Sequence, residues 1–522
     1  MTASQARLVK IVAIVLGALL LSWPLFVNHG PFFMPDTSAY LRAADSGVTM
    51  VTGHKTEWSD RTDWYVGNPI TTNPGGKLAQ ELQTPAATSS KALHPPLAGR
   101  SIYYGLAAYV PLILFGEGAV SLIQSLLLAI LAWIVVRATL RFPDDPRQIV
   151  LPFAACCLML ALFTSAPFVT TLVMPDFLAG MALVAAVLLI IFARQFSRIE
   201  IAFLAALLIW GSMAHTSHFL ILVALLPFAA LLAWRGTSSA LGVCVIGLAM
   251  ALTVLGDKAY VETVRHVTGD TPVRPPFLSA RLIDEGPGYA ALKSACPHSQ
   301  WVLCGYLSRM PRDSDAFLWS NAPADGVFSA TPQAVQRQLS REDFPFALMT
   351  ARKFPVAVAG CSLRAFAHQL MLFNLSLYRG IPPSPGVGAM WDNLPTPVAE
   401  RMRQTRTAQG AMPVTWTERA SPILIWASLA AACLFVLSGR GRPDPDGWRR
   451  RWLMALMLVA FGVLTNAAIT GALSKPDARY NARIVWVIPL IAGAFLTQAM
   501  HRRPAGDSVQ TASHEPTVVV GP

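Results

Sequence analysis

Two short motifs place an aspartate directly after a proline at the end of an apolar run. Asp36 lies in "GPFFMPDTSAYLRA", where the first run ends, and Asp176 lies in "VMPDFLAG", between two later runs. A carboxylate can act as a general base by accepting a proton from a hydroxyl or an amine. Aspartate is also a favoured helix N-cap, so a purely structural role is the alternative for both residues.

A basic cluster near the C-terminus offers a second kind of chemistry. The segment "SKPDARYNAR" contains Lys475, Arg479, Tyr480 and Arg483. Guanidinium and ammonium groups bind phosphate, and arginine does so through a planar fork of donors. Aspartates that accept a proton, together with cationic side chains that bind phosphate, would suit group transfer from a phosphate or diphosphate carrier. The alternative is that the arginines only anchor the chain at the membrane surface.

Three histidines fall at similar positions. His94 precedes two prolines in "KALHPPLAG", where it would order a turn, and His215 and His218 occur in "HTSHF". Histidines three positions apart could share a metal ion, and hydrogen bonding inside a helix bundle is the alternative. No other metal motif, P-loop or dinucleotide-binding glycine pattern occurs. Because Asp176 could also help to hold a divalent cation, such a cation stays open as a cofactor.

The elements that must position these residues are membrane helices. The 522 residues are 54% hydrophobic and 13% charged, and the mean hydropathy is +0.47. Soluble domains carry about 25% charged residues, and a membrane span needs about 20 apolar ones. The composition predicts an all-α polytopic membrane protein whose first apolar run is retained. The net charge of +12 reflects Lys and Arg at the ends of apolar runs, so we expect no nucleic-acid partner.

We expect about ten spanning helices. They are residues 8–27, 117–136, 149–166, 177–194, 200–214, 218–234, 239–255, 421–438, 452–472 and 483–500. With these spans, fifteen Lys and Arg residues flank the helices on one side, and only Lys475 and Arg479 lie in the short connections opposite. The positive-inside rule then places both termini in the cytoplasm and makes the stretches 101–116 and 354–375 interfacial or re-entrant helices.

This orientation divides the chain into four parts. Residues 1–255 form a membrane module with a first outer loop at 28–116, and residues 256–420 form a large extracytoplasmic region. Residues 421–503 add the last spans, and 504–522 form a disordered cytoplasmic tail. Cys296 and Cys304 lie in the large outer region, where a disulfide is expected and two free thiols are the alternative. The polar candidates all lie at the outer helix ends, where facing helices can build one site.

The order of the motifs resembles the C-type glycosyltransferases, particularly the branch of protein O-mannosyltransferases and lipid A aminoarabinose transferases. "PDTSAY" supplies Asp36 and Tyr40 of that branch's D-E-x-x-Y motif, with Thr37 in place of its second acid. "HPPL" stands where the branch has K-P-P-L. "MPDFLAG" matches its later acidic loop, and "RY" at Arg479 and Tyr480 precedes a late span. The likeness covers about the first 235 and the last 50 residues.

The resemblance implies a bacterial inner-membrane enzyme whose active site faces the periplasm. Its partners would be a polyprenyl-phosphate sugar donor, membrane lipid, and a glycan, lipid or protein acceptor. Asp36 would act as general base, Asp176 would orient the acceptor, and Tyr40 would stack on the sugar. The remaining candidates would bind the substrates, with the phosphate held by Lys475, Arg479 or Arg483.

Other classes remain open on the sequence alone. A polymerase or ligase of envelope polysaccharides would depend on outer arginines such as Arg274, Arg281 and Arg379. A transporter of lipid-linked glycans would show internal repeats and polar groups near the bilayer midplane. A scaffold would use region 256–420 to bind a partner.

Overall fold

The computed structural model describes residues 2–59, 101–320, 322, 324–380, 394–438 and 447–500. These residues form helices, and an isolated parallel β-bridge joins Phe32 to Leu172. His94 and the tail 504–522 lie outside the described residues.

The N-terminal half contains eleven of the helices that we number. They are α1 (Ala3–Leu21), α2 (Trp23–Val27), α3 (Pro35–Thr52), α4 (Ile102–Phe115), α5 (Glu117–Thr139), α6 (Arg147–Phe163), α7 (Ala166–Thr171), α8 (Phe177–Phe192), α9 (Arg198–Ala214), α10 (Thr216–Trp234) and α11 (Ala240–Thr268).

The remaining helices belong to the outer region and the C-terminal part. They are α12 (Phe277–Asp284), α13 (Pro287–Ala295), α14 (Ser314–Trp319), α15 (Gln333–Lys353), α16 (Pro355–Met371), α17 (Ser376–Arg379), α18 (Thr396–Arg403), α19 (Thr415–Ser438), α20 (Trp448–Leu473), α21 (Ala478–Ala482) and α22 (Val487–Met500).

Seven helices in the described chain are long and apolar enough to cross a membrane: α1, α5, α8, α10, α11, α19 and α20. This confirms the expected class, an all-α polytopic membrane protein. Three other expected spans are also helical but shorter, and they correspond to α6, α9 and α22. The ten-span topology and the sidedness of the protein stay predictions.

Helix α8 lies at the centre of the bundle. Of its apolar window 94% is buried, against 22% for α1 and for α19. An α-helix that is apolar on all sides needs protein or lipid around its whole circumference, and α8 has protein there. The residue before this central helix, Asp176, is therefore placed deep inside one end of the bundle.

Two expected spans have different boundaries in the structure. The first is broken at Ser22, which separates α1 from α2, and Pro24 stands in the first turn of α2. Helix α11 has 29 residues, or about 43 Å at 1.5 Å per residue, and ends at Gly269 with φ +78°. It is longer than the roughly 30 Å of a bilayer core, so region 256–420 begins with helix rather than with a loop.

Residues of the expected outer region contribute to two apolar cores. Val273, Leu292 and Phe328 belong to a small core formed by α12–α15 and their connections. The disulfide between Cys296 and Cys304 is present beside it, with Cα atoms 5.3 Å apart. By contrast, Leu375 and Val414 pack into the large membrane core. The described residues near the end of region 256–420 thus pack with the membrane helices.

The stretches 101–116 and 354–375, which were expected as interfacial or re-entrant helices, contain α4 and α16, and both helices pack closely on their neighbours. Gly105 of α4 faces the backbone of α3, where a Cβ would lie 2.1 Å from the carbonyl oxygen of Tyr40. Gly471 of α20 faces α16 in the same way, 2.8 Å from the carbonyl oxygen of Ala365. Glycine permits both close approaches because it has no Cβ.

Candidate functional site

A parallel backbone bridge brings the two aspartate motifs side by side. The Phe32 N–H donates to the Thr171 carbonyl (3.0 Å), and the Val173 N–H donates to the Phe32 carbonyl (3.0 Å). Two positions after the paired residues Phe32 and Leu172, each segment continues with the same three residues, Met-Pro-Asp. A residue before proline favours an extended conformation, so both segments approach their helices in a similar way.

Asp36 lies in the first turn of α3 but does not cap it. The N-cap position is Met34, whose backbone N–H donates to the Thr37 hydroxyl at 3.0 Å. A negative charge in the first turn is favoured by the partial positive charge of a helix N-terminus. The Asp36 side chain is 29% exposed, so its carboxylate can be reached from outside the protein interior.

Asp176 is buried and does not cap α8 either. Its backbone is already helical, its side chain accepts no capping hydrogen bond, and 3% of the side chain is exposed. A buried carboxylate needs a compensating charge. Two arginines supply it, since Arg479 Nε lies 3.7 Å and Arg483 Nη1 lies 3.6 Å from Asp176 Oδ1.

Arg479 joins the two acids. Its Nη1 lies 3.7 Å from Asp36 Oδ2 and 3.2 Å from the sulfur of Met34, and 3.9 Å separate it from the sulfur of Met174. These ion pairs are wider than the 2.7–2.9 Å of a close charge-assisted hydrogen bond. Burial alone would lower the pKa of the Arg479 guanidinium, but Asp176 and the neighbouring groups, Asp36 included, raise it well above its ordinary value.

Arg483 is held more rigidly than Arg479. Its Nη2 donates to Asn466 Oδ1 (2.7 Å) and to the Ser217 hydroxyl (2.9 Å), and the side chain is 1% exposed. Trp486 supports it from the next turn by donating its indole N–H to the Arg483 carbonyl (3.0 Å). The indole itself packs on Gly180 of α8, where a Cβ would lie 2.5 Å from the ring.

Tyr480 lies between the two arginines. The guanidinium carbons of Arg479 and Arg483 are 5.0 and 4.8 Å from its ring centroid, within the range of cation–π contacts. Its hydroxyl also accepts a hydrogen bond from Arg479 Nη2 (3.3 Å). We call Asp36, Asp176, Arg479, Arg483 and Tyr480 the acid–arginine cluster. Its two aspartates and two arginines carry no net charge.

The two histidines between α9 and α10 lie behind the cluster. His215 is the N-cap of α10, where its Nδ1 accepts the Ser217 N–H (3.1 Å), and Ser217 in turn contacts Arg483. His218 is buried, with Nδ1 3.0 Å from the Gly211 carbonyl. Both histidines thus make hydrogen bonds inside the bundle, which was the alternative to a shared metal ion.

The residues present do not fit a divalent cation in this arrangement. Within the described chain, no group of three or more His, Cys, Asp and Glu side chains lies close enough to hold a metal ion. The two carboxylates of the cluster have the guanidinium of Arg479 between them, which would repel a cation. The rings of His215 and His218 lie 5.2 Å apart, and these two residues alone do not make such a group.

Two of the expected substrate-binding residues, Lys475 and Tyr40, are engaged in other contacts. Lys475 contacts Asp313 and Asp315 of the outer region (2.7 and 2.8 Å), so it links that region to α20 instead of joining the cluster. Tyr40 is buried, 1% exposed, and packs edge-on against Tyr104, which leaves its ring no open face for a sugar. His94, the third candidate of the first outer loop, lies outside the described residues.

Several contact residues were missed by the sequence analysis. Met34 and Met174 could have been found, because the Met-Pro-Asp tripeptide occurs at both acids. No local signal identifies Ser217 and Asn466 as partners of Arg483. Tyr378 of α17 is the least expected: its ring packs on Phe32, 5.2 Å between centroids, and its hydroxyl has no hydrogen-bond partner among the described residues.

The charges of the cluster also affect the pKa of the Tyr378 phenol. Burial, and after it the charge of Asp176, raises the pKa of its phenol above the ordinary value, whereas Arg479 opposes the rise. The residue belongs to region 256–420, so this region contributes a side chain to the surroundings of the acid–arginine cluster.

Two arginines that a polymerase or ligase would use are engaged in local ion pairs. Arg281 is largely buried and pairs with Asp284 at the end of α12 and with Glu285 just after it, and Arg379 pairs with Glu418 of α19. Neither contacts the acid–arginine cluster in the interactions that the structure describes.

Comparisons with known proteins do not add a family assignment. No protein-family model, no curated protein and no solved structure matches the chain significantly.

Proposed function

We propose that the protein is a membrane glycosyltransferase that moves a sugar from a polyprenyl-phosphate donor to an acceptor outside the cytoplasm. The observation that carries the proposal is the approach of Asp36 and Asp176 to Arg479, 3.7 Å from each, with Arg483 3.6 Å from Asp176. A base and a phosphate-binding group in contact are what this transfer requires. The fuller topology belongs to the same proposal: ten spans, a bacterial inner membrane and a site on the periplasmic face.

Each member of the cluster has a proposed role. Asp36, which is partly exposed, accepts the proton of the acceptor hydroxyl or amine. The acceptor atom attacks the sugar C1 in line, so one displacement inverts the anomeric centre. Arg479 stabilises the departing phosphate in a site of low dielectric, where charge pairing is strong. Asp176, which is buried, positions both arginines, and this role takes the place of the acceptor contact expected from the resemblance.

The direct test is transfer of a radiolabelled sugar by the purified full-length protein. The label starts on a polyprenyl phosphate, and a cell-envelope extract supplies the acceptors. We expect label to move from the polyprenyl phosphate to an acceptor with the wild type and not with Asp36→Asn. Asp270→Asn is the matched control, because Asp270 also pairs with an arginine, Arg337, but outside the cluster. Full transfer by Asp36→Asn would discard the assignment of the base.

A second test concerns sidedness. Gly47 lies on the exposed surface of α3, where an added Cβ would meet no heavy atom within 4 Å, so Gly47→Cys should be tolerated. In intact cells we expect a membrane-impermeant maleimide to label this cysteine. Labelling only after the cells are opened would place α3 in the cytoplasm and contradict the proposal.

A further inference from the structure

Within the acid–arginine cluster, the charges of the two aspartates balance those of the two arginines. Arg479 lies 3.7 Å from both Asp36 and Asp176, and Arg483 lies 3.6 Å from Asp176. A phosphate ester that reaches Arg479 must therefore compete with a carboxylate that is already there. This competition is a property of the cluster that its proposed roles do not yet explain.

The competition falls on Asp36 and not on Asp176. The Asp36 side chain is 29% exposed, whereas that of Asp176 is 3% exposed and serves two arginines. To remove Asp176 from Arg479 would leave a buried charge without compensation, which is costly. An exchange of Asp36 for an incoming anion is much cheaper, because water can solvate the displaced carboxylate.

We propose that Arg479 passes from Asp36 to the leaving phosphate when Asp36 takes up the acceptor's proton. The proton of the acceptor hydroxyl moves to the Asp36 carboxylate while the hydroxyl oxygen forms its bond to the sugar C1. The bond between C1 and the phosphate oxygen breaks, and its electron pair stays on that oxygen. The phosphate thus changes from one negative charge to two as Asp36 becomes neutral.

This exchange keeps the charge of the site constant. Before transfer, Arg479 is shared between the Asp36 carboxylate and a singly charged phosphodiester. Afterwards, it faces a neutral carboxylic acid and a doubly charged phosphate. Arg479 therefore binds the doubly charged phosphate that forms during transfer more strongly than the phosphodiester of the donor, so it stabilises the charge that develops in the transition state.

One consequence can be measured without turnover. Because a proton on Asp36 and a phosphate on Arg479 favour each other, removal of the Asp36 charge must tighten the binding of a phosphate monoester. Asp36→Asn imitates the protonated acid, since its amide is neutral and of similar size. The substitution that abolishes transfer should therefore improve product binding, an effect that a merely structural role of Asp36 does not produce.

The experiment measures the dissociation constant of farnesyl phosphate for the full-length protein in detergent. We expect Asp36→Asn to bind at least about fivefold more tightly than the wild type, the lower end of usual coupling between sites. Asp270→Asn removes the same charge from the Arg337 ion pair and should leave the affinity unchanged. Arg479→Gln should weaken binding in the wild-type and in the Asp36→Asn background.

The inference rests on the proposed function, but different binding results would contradict the two. Farnesyl phosphate that binds the wild type and Arg479→Gln equally well would contradict the phosphate site itself. Binding that depends on Arg479 but is no tighter in Asp36→Asn would overturn only the exchange between Asp36 and the phosphate. A gain in affinity that also appears in Asp270→Asn would overturn it as well, since the effect would then be one of net charge.

Discussion

Asp36 and Asp176 each lie 3.7 Å from a different nitrogen of the same guanidinium, that of Arg479. The parallel bridge between Phe32 and Leu172 sets this arrangement, because it aligns two Met-Pro-Asp segments in register. The two acids nevertheless differ in environment. One is partly exposed and close to a single arginine of the cluster, and the other is buried between two arginines. We therefore expect their substitutions to have different effects.

Asp176→Asn should destabilise the protein more than Asp36→Asn does. Loss of one partner of a buried ion pair costs about 3–5 kcal/mol, because the remaining charge is left without compensation. For the partly exposed Asp36 we expect at most about 1 kcal/mol. Thermal unfolding of both variants in the same detergent measures the difference. Equal losses of stability would show that Asp176 does not hold the arginines together.

Arg479→Lys should lose transfer although it keeps the positive charge. Lysine offers a point charge, and it cannot span Asp36 and Asp176 with separate nitrogens as the guanidinium does. We expect the transfer rate to fall by about 100-fold, as for the loss of one donor from a preorganised anion site. Arg379→Lys is the control, because Arg379 pairs with Glu418 outside the cluster. A polysaccharide polymerase that relied on Arg379 would give the reverse ranking.

Tyr378→Phe should raise stability and lower transfer. A buried hydroxyl without a partner costs about 1–3 kcal/mol, and phenylalanine removes it without changing the shape of the ring. If the hydroxyl donates to the phosphate of the bound donor, its loss costs about 1.5–3 kcal/mol of binding, or roughly tenfold or more in KM. The measurements are the unfolding temperature and the KM for the donor. A stable variant with unchanged KM would assign Tyr378 to packing alone.

Lys475→Met should leave transfer unchanged and reduce stability slightly. Lys475 pairs with Asp313 and Asp315, which are more than half exposed, so the loss should be about 0–1 kcal/mol. The hydrogen bond from Lys475 lowers the pKa of Asp313 in the folded protein. The pair therefore contributes stability above the unfolded pKa of about 3.9, and the contribution is lost as the pH falls through the folded value.

Thermal unfolding of the wild type and Lys475→Met across pH 3–7, an interval set by the reference carboxyl pKa of about 3.9, tests this sign. The two curves should differ at neutral pH and converge in acid. A loss of donor affinity in Lys475→Met would instead restore this residue to the phosphate site.

Composition and apolar run length predicted the class of the protein and most of its helices. Residues such as those of α8 are apolar on every side, and only a helix surrounded by protein or lipid can satisfy them. The acids and arginines of the cluster were also identifiable, because ionisable residues at membrane depth are costly and are therefore candidates for function. The disulfide between Cys296 and Cys304 was expected from the spacing and the predicted compartment.

The sequence was less informative where residues close together in one segment have partners in different parts of the structure. Lys475 and Arg479 are four residues apart in one basic segment, yet the first faces the outer region and the second faces Asp176. The choice depends on how α20 and α21 pack against α8 and α14, which no local pattern encodes. Tyr40 is a similar case, since the close approach of α4 at Gly105 buries its ring.

The amino-acid sequence by itself determined that the protein is a helical membrane protein with acids and arginines at helix ends, because solvation in lipid depends on composition. Only the tertiary structure decided that Asp36 is partly exposed while Asp176 is buried, and that both share Arg479. Solvation of each helix is a local property of its residues, whereas the pairing of charges depends on distances between segments that are far apart in the chain.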